Sequence, residues 1–150
     1  MRLVRLLTGV ILLLTVIGCQ PGEGDKVDIS KVSDIGFHVL QDNEIPQRIK
    51  NFLENNKEIE QAMLVDDDGT FYAVITRGRK NTGGYGVEIE KITLRLVDGN
   101  SKLTVYVRYT DPKPGSVVTQ ALTYPHLVAE VDLKQKPQEI KFDIKTKNQR

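Results

Sequence analysis

VEIEKITLRLVDGNSKLTVYVRYT, residues 87–110, decides the fold. In its second half Leu103, Val105, Val107 and Tyr109 alternate with Thr104, Tyr106 and Arg108, the period of two that puts one face of a strand in a core and the other in water. The first half changes phase: Val87 and Ile89 share one parity, whereas Ile92, Leu94 and Leu96 share the other. A bulge near Glu90 or Lys91 brings both sets to the same side. Between the halves, Asp98-Gly99-Asn100-Ser101 carries the Asp-Gly pair of a tight turn, so the stretch reads as a hairpin.

Outward from it the same grammar repeats. Residues 61–65 and 70–77 are apolar and β-branched on either side of Asp66-Asp67-Asp68-Gly69, a second hairpin. Leu127, Ala129, Val131 and Leu133 alternate as a further strand, and Ile140, Phe142 and Ile144 make another with Lys141, Asp143 and Lys145 facing out. Upstream, Ile45, Ile49, Phe52, Leu53 and Ile59 are spaced as one helical face between Arg48, Lys50, Glu54 and Lys57, and a helix is predicted over 46–56. Pro46 suits its first turn and Asn55-Asn56 its end. The expected fold is mainly β (α+β): an antiparallel β-sheet or sandwich of about six strands with one preceding amphipathic helix, in a single globular domain over 35–145. Strand-helix alternation is absent, which excludes a doubly wound parallel sheet.

The beginning of the chain is not part of that domain. Arg2 and Arg5 precede an apolar run over 6–17, shorter than the ~20 residues a membrane span needs, and the run ends in Val16-Ile17-Gly18-Cys19. That is the layout of a secretory signal peptide over 1–18, with a small residue directly before the only cysteine, where a signal peptidase would cut. The pattern resembles the lipobox of bacterial lipoproteins, which implies that Cys19 is the lipid attachment point and the first residue of the mature chain. Two acyl chains suffice for stable anchoring. An uncleaved anchor helix is the alternative, whereas a lone thiol leaves no disulfide or CxxC chemistry. Gln20-Pro21-Gly22-Glu23-Gly24 opens a polar, breaker-rich flexible tether, taken as 19–34. The expected location is the cell membrane, lipid-anchored and facing outside the cytoplasm.

Composition narrows function without naming it. Of 150 residues 39% are hydrophobic and 27% charged, with 21 basic against 20 acidic side chains, an ordinary globular balance. Removal of 1–18 takes Arg2 and Arg5 and no acid, leaving 19 basic against 20 acidic. Nucleic acid is therefore not an expected partner, since neutralising phosphates requires a basic surplus. Asp66-Asp67-Asp68-Gly69 is an acidic turn and not a calcium loop, because Leu64 stands where a ligand is needed. Asn81-Thr82-Gly83-Gly84-Tyr85-Gly86, after Arg77, Arg79 and Lys80, lacks the Gly-Lys-Ser/Thr ending of a phosphate loop and leads into a strand. His38 and His126 have no metal-ligand spacing. Ser116 with His126 is a formal hydrolase pairing without a nucleophile elbow, and Glu88 with Glu90, on the same side of a strand, are a carboxylate pair or more simply the solvent face opposite Val87 and Ile89. No enzyme activity, catalytic residue, metal or cofactor is expected.

Two blocks carry a resemblance. Thr82-Gly83-Gly84-Tyr85-Gly86-Val87-Glu88-Ile89 is followed by Pro112-Lys113-Pro114-Gly115 and then Val118-Thr119-Gln120-Ala121-Leu122-Thr123-Tyr124-Pro125. Over about residues 71–133 the chain resembles the C-terminal domain of protease complex subunit PrcB, with Asn81 where the family typically has Pro. The resemblance implies a lipid-anchored, non-catalytic accessory subunit that binds or stabilises a protein partner, in the founding case a surface protease. Thr82, Gly83, Gly84, Tyr85, Gln120, Thr123, Tyr124 and Pro125 are the candidate partner-binding residues, since both blocks mark strand ends and the two loops can meet. If Tyr85, Tyr124 and Pro125 instead pack together, they only brace the loops. The alternative function is a lipid-anchored protein that binds a small ligand or envelope glycan, with Arg77, Arg79 and Lys80 beside a pocket.

Overall fold

Residues 71–75, Phe-Tyr-Ala-Val-Ile, form an unbroken apolar run, and a strand of that kind needs cover on both faces. The computed structural model, which describes residues 31–148, supplies it. The elements in order are β1 (Lys31–Ile35), β2 (Phe37–Val39), α1 (Gln47–Asn56), β3 (Glu60–Asp67), β4 (Thr70–Arg77), β5 (Gly86–Val97), β6 (Asn100–Asp111), β7 (His126–Val131) and β8 (Glu139–Asn148). They make two four-stranded sheets, ordered β1-β5-β6-β8 and β2-β7-β4-β3. Between the sheets lie Phe71, Ala73 and Ile75 of β4, Ile89 and Ile92 of β5, alternate residues Leu103 to Tyr109 of β6, and Ala129 and Val131 of β7. On the outer face of the second sheet, Ile45, Ile49 and Leu53 pack α1 onto Tyr72, Val74 and Val128. The result is a β-sandwich with a helix as third layer, and β4 is buried from both sides.

Local rules account for the pieces. The register of β5 on β6 slips between Ile89 and Lys91, and both Ile89 and Ile92 are buried as a result. Both hairpins turn on an Asp-Gly pair with positive φ at each residue, Asp68 and Gly69 in one, Asp98 and Gly99 in the other. Left-handed conformation at both positions is what matches the turn to the twist of the strands. Pro46 is the residue before the helix, where its carbonyl accepts from the Lys50 N–H, and Asn56 closes the last turn by donating to the Phe52 carbonyl at 2.8 Å.

The mainly β, sandwich-type expectation holds, with four corrections. The described strands number eight, because the short β1 and β2 pair with the margins of β5 and β7. The helix follows β1 and β2 and so does not precede every strand. Residues 31–34 are strand and not tether. β8 runs parallel to β6, because the chain leaves β6, crosses to the second sheet as β7 and returns, which restores the original direction. Cys19, the signal peptide over 1–18 and the tether up to residue 30 lie outside the described residues.

Candidate functional site

The two blocks converge on Arg77, the last residue of β4. Its side chain is buried, with the whole residue 4% exposed. A buried guanidinium has to find acceptors for its donors. Nη1 donates to the carbonyls of Gly86 and Thr110, at 3.1 and 2.9 Å, and Nη2 makes an ion pair with Asp111 at 2.7 Å. Its flat face lies over the rings of Tyr109, 4.2 Å, and Tyr85, 5.3 Å. The Arg77 backbone N–H donates to the Pro125 carbonyl at 2.8 Å. One residue thus ties down the starts of β5 and β7 and the end of β6. Burial holds the Tyr109 phenol above its ordinary range, the charge of Glu60 adds to this and Arg77 opposes it.

From that anchor the loops are laced together. Lys80 and Thr123 exchange backbone hydrogen bonds at 2.9 Å in each direction, the Gly83 N–H donates to the Thr119 carbonyl, and the Thr123 hydroxyl donates to the Thr82 carbonyl, both at 2.9 Å. Gly84 adopts φ +90°, and a Cβ there would come within 3.0 Å of Pro112 and 3.3 Å of Val118. Glycine is therefore required twice over, by conformation and by contact. Gly83, Gly84 and Tyr85 meet Thr123, Tyr124, Pro125 and His126 around a shallow hollow of 310 Å³. The two blocks make one face.

That face borders a larger cleft of 680 Å³ between α1 and residues 122–126. Ile45 and Leu53 are its apolar floor; Lys50, Glu54 and Lys57 line the helix side, and Leu122, Thr123, Tyr124 and His126 the loop side. The Lys57 ammonium lies 5.3 Å from the centre of the Tyr124 ring and pairs with Glu54 at 2.9 Å. That hydrogen bond, with the charge behind it, holds the Glu54 carboxyl below its ordinary range and the Lys57 ammonium above it. Leu122 is 56% exposed at the rim, and Val117 is fully exposed on the neighbouring loop.

The candidate residues have distinct fates. Gly83, Gly84, Tyr85, Thr123, Tyr124 and Pro125 come together at the hollow, and Thr123 and Tyr124 line the cleft as well. Thr82 serves through its carbonyl, and Gln120 is exposed, donating back to the Val118 carbonyl at 3.3 Å. Tyr85 is half-buried against Arg77 and Lys80, so part of its role is bracing. Arg77 is buried with Nη1 and Nη2 spent on Gly86, Thr110 and Asp111 and with Nε unpartnered, and it lines neither the hollow nor the cleft, which corrects its place beside a pocket in the ligand-binding alternative; Arg79 is exposed. The Ser116 hydroxyl donates to the Lys113 carbonyl, whereas His126 contacts the Tyr124 carbonyl through Nδ1 and faces Asp42 through Nε2 at 3.7 Å. Glu88 and Glu90 are both bridged by Arg108, at 2.7 and 3.0 Å. Asp66 accepts from the Gly69 N–H and is a turn residue. Among the described residues no group of three or more His, Cys, Asp or Glu is placed to hold a metal. The helix side of the cleft escapes a reading by motif, since its only sequence signal is the spacing of Lys50, Glu54 and Lys57 on one flank of α1.

Residues 71–132 match the family model of the PrcB C-terminal domain. The match runs from β4 to just past β7 and contains both loop blocks, Arg77 and Asp111. No curated protein and no solved structure gives a match to the chain.

Proposed function

We propose that this chain, with its PrcB C-terminal domain at residues 71–132, is a non-catalytic accessory subunit held outside the cytoplasm by a lipid on Cys19. It binds a protein partner, of the protease-complex kind that the domain suggests, with the face where its two loop blocks meet. The observation that carries this reading is the junction itself. Two separated blocks are cross-braced by backbone hydrogen bonds and a buried arginine into a rigid face, and that face borders a cleft with an apolar floor, charged walls and an exposed leucine at its rim. Preformed, rigid surfaces with an apolar centre and polar margin are what protein partners use. The anchor reading rests on Arg2, Arg5, the apolar run over 6–17 and Gly18-Cys19.

Affinity capture from detergent-solubilised native membranes after mild crosslinking tests it, with wild type beside Leu122→Asp and Tyr124→Ala. The expected result is a stoichiometric protein that both variants lose. An empty wild-type capture, or one that both variants retain in full, overturns the reading. Labelling with a radioactive fatty acid, lost on Cys19→Ala, tests the anchor. The second reading, a small ligand or envelope glycan, is favoured by the polar groups on facing walls of the 680 Å³ cleft. It predicts that soluble glycan fragments raise the melting temperature of wild type and not of Lys57→Ala.

A further inference from the structure

Each open sheet has two edges, and a long uncharged edge is a template for pairing that proteins ordinarily blunt. The edges here are β1 and β8 of one sheet and β2 and β3 of the other. β1 and β2 are short, with five and three residues, whereas β3 has eight and β8 ten. The centre of β3, Gln61-Ala62-Met63-Leu64-Val65, contains no charge, proline or glycine, and all five residues are half-buried. On β8, Ile140 and Phe142 are half-buried against the inter-sheet core and Ile144 is 39% exposed. Among the described residues no strand pairs with the outer side of either.

These two edges form one side of the sandwich. Arg77, at the end of β4, bonds Thr110 and Asp111 at the end of β6, so β4 and β6 run in the same direction. β3 is antiparallel to β4 and β8 is parallel to β6; β3 and β8 are therefore antiparallel, stacked one above the other and in contact. A two-fold axis parallel to the strands swaps the layers and keeps the strand directions. It carries β8 of a second copy to the outer edge of β3, antiparallel, while the second copy's β3 meets the first copy's β8. Both sheets then continue across the interface, and the contact closes on itself as a two-fold interface must.

Register and charge fit this arrangement. Glu60 pairs with Arg77, and Thr146 with Tyr109, whose ring stacks on Arg77, so Glu60 and Thr146 are level. Counting along the antiparallel pair brings Ala62 opposite Ile144 and Leu64 opposite Phe142. Ala62, Leu64 and Phe142 pack on the inter-sheet core, and Ile144 shares the parity of Phe142. Glu60 falls between Lys145 and Lys147, and Asp66 beside Lys141. Asp67 and Glu139, which meet at the far end, are already held by Arg48 and Lys102, while Glu60 faces Lys80 only at 3.6 Å. The like pairings fail: β3 on β3 about Met63 sets Glu60 against Asp66, and β8 on β8 about Asp143 sets Lys141 against Lys145. Like charges directly opposite destabilise a pair of strands.

We propose that the β3–β8 side of the sandwich is a dimer interface between two copies of this chain, each acidic-flanked β3 pairing with the basic β8 of the other. The test is disulfide trapping in full chains bearing Cys19→Ala. Met63→Cys and Asp143→Cys stand level, at a separation a disulfide spans. Mixing the two single variants under mild oxidation is expected to give a covalent dimer, with little from either alone. No trapped dimer in the mixture, or equal trapping within one variant alone, overturns the proposal. In sedimentation equilibrium, Lys145→Glu is expected to weaken the dimer about tenfold, two charge contacts being lost by symmetry, and Glu60→Lys in the same chain to restore it to within about threefold. Weakening that the second change deepens overturns it equally.

Discussion

Substitution of Arg77 by alanine removes the pin on which the two loops depend. It leaves the Gly86 and Thr110 carbonyls without their side-chain donor and frees the Asp111 carboxylate. Breaking a buried ion pair costs about 3–5 kcal/mol, and each buried acceptor left unmet about 1–3. The Asp111 side chain is 33% exposed and regains water, so the low end applies, about 3 kcal/mol. Unfolding entropy of about 2.1 cal/mol/K per residue over about 120 residues turns that into a fall in Tm of roughly 12 °C. Arg77→Lys keeps the charge and loses the planar fork, for about 2 kcal/mol. Asp111→Asn leaves both carbonyl bonds in place, for about 1 kcal/mol or less. Urea unfolding followed by circular dichroism gives all three. A cost under about 1 kcal/mol for Arg77→Ala, or equal costs for Arg77→Ala and Asp111→Asn, refutes the account of Arg77 as the anchor of the loops.

Other outcomes follow from the same geometry. Gly84→Ala must strain a positive φ and press on Pro112, for a loss of about 1–3 kcal/mol, whereas Gly83→Ala, with its nearest neighbour at 3.4 Å, costs less; thermal unfolding separates them. Tyr109 stays protonated in the fold above the ordinary phenol range while the unfolded chain ionises near pH ~10, so the unfolded state then holds fewer protons and stability falls as pH rises past that point. Tyr109→Phe removes this part of the alkaline loss, and at pH 7 it costs under about 0.5 kcal/mol because the hydroxyl is buried without a partner; denaturation at pH 7 and pH 11 checks both. Leu122→Asp leaves stability within about 0.5 kcal/mol, since the side chain already faces solvent, while abolishing capture of the partner.

Much of this architecture is legible because local rules and tertiary packing agree. Alternation in β6, the phase change at Glu90 and Lys91, both Asp-Gly turns and the apolar face of α1 are each stated by a few residues and each recur in the fold. What escapes a reading by pattern depends on partners distant in sequence. Lys31-Val32-Ser33-Asp34-Ile35 has the polarity of a tether and becomes strand only because β5 is there to pair with it. Alternation in β8 says which side chains face in but nothing of strand direction, which the crossover through β7 decides. Arg77 looks like the first of three loop cations; its burial depends on the Gly86 carbonyl nine residues on and on the Thr110 carbonyl and Asp111, 33 and 34 residues on, and no spacing announces them. The loop blocks are visible as motifs, whereas the cleft beside them needs α1, outside the family match, to supply its other wall.

The proposed partner binds the face where the two blocks meet. A photo-crosslinking amino acid at Leu122, on the rim of that face, and in a separate chain at Leu96, exposed on the other sheet, tests it in intact cells. One discrete adduct is expected from position 122 and none from position 96. The same adducts from both positions, or none from 122 with the protein at normal levels, would contradict it.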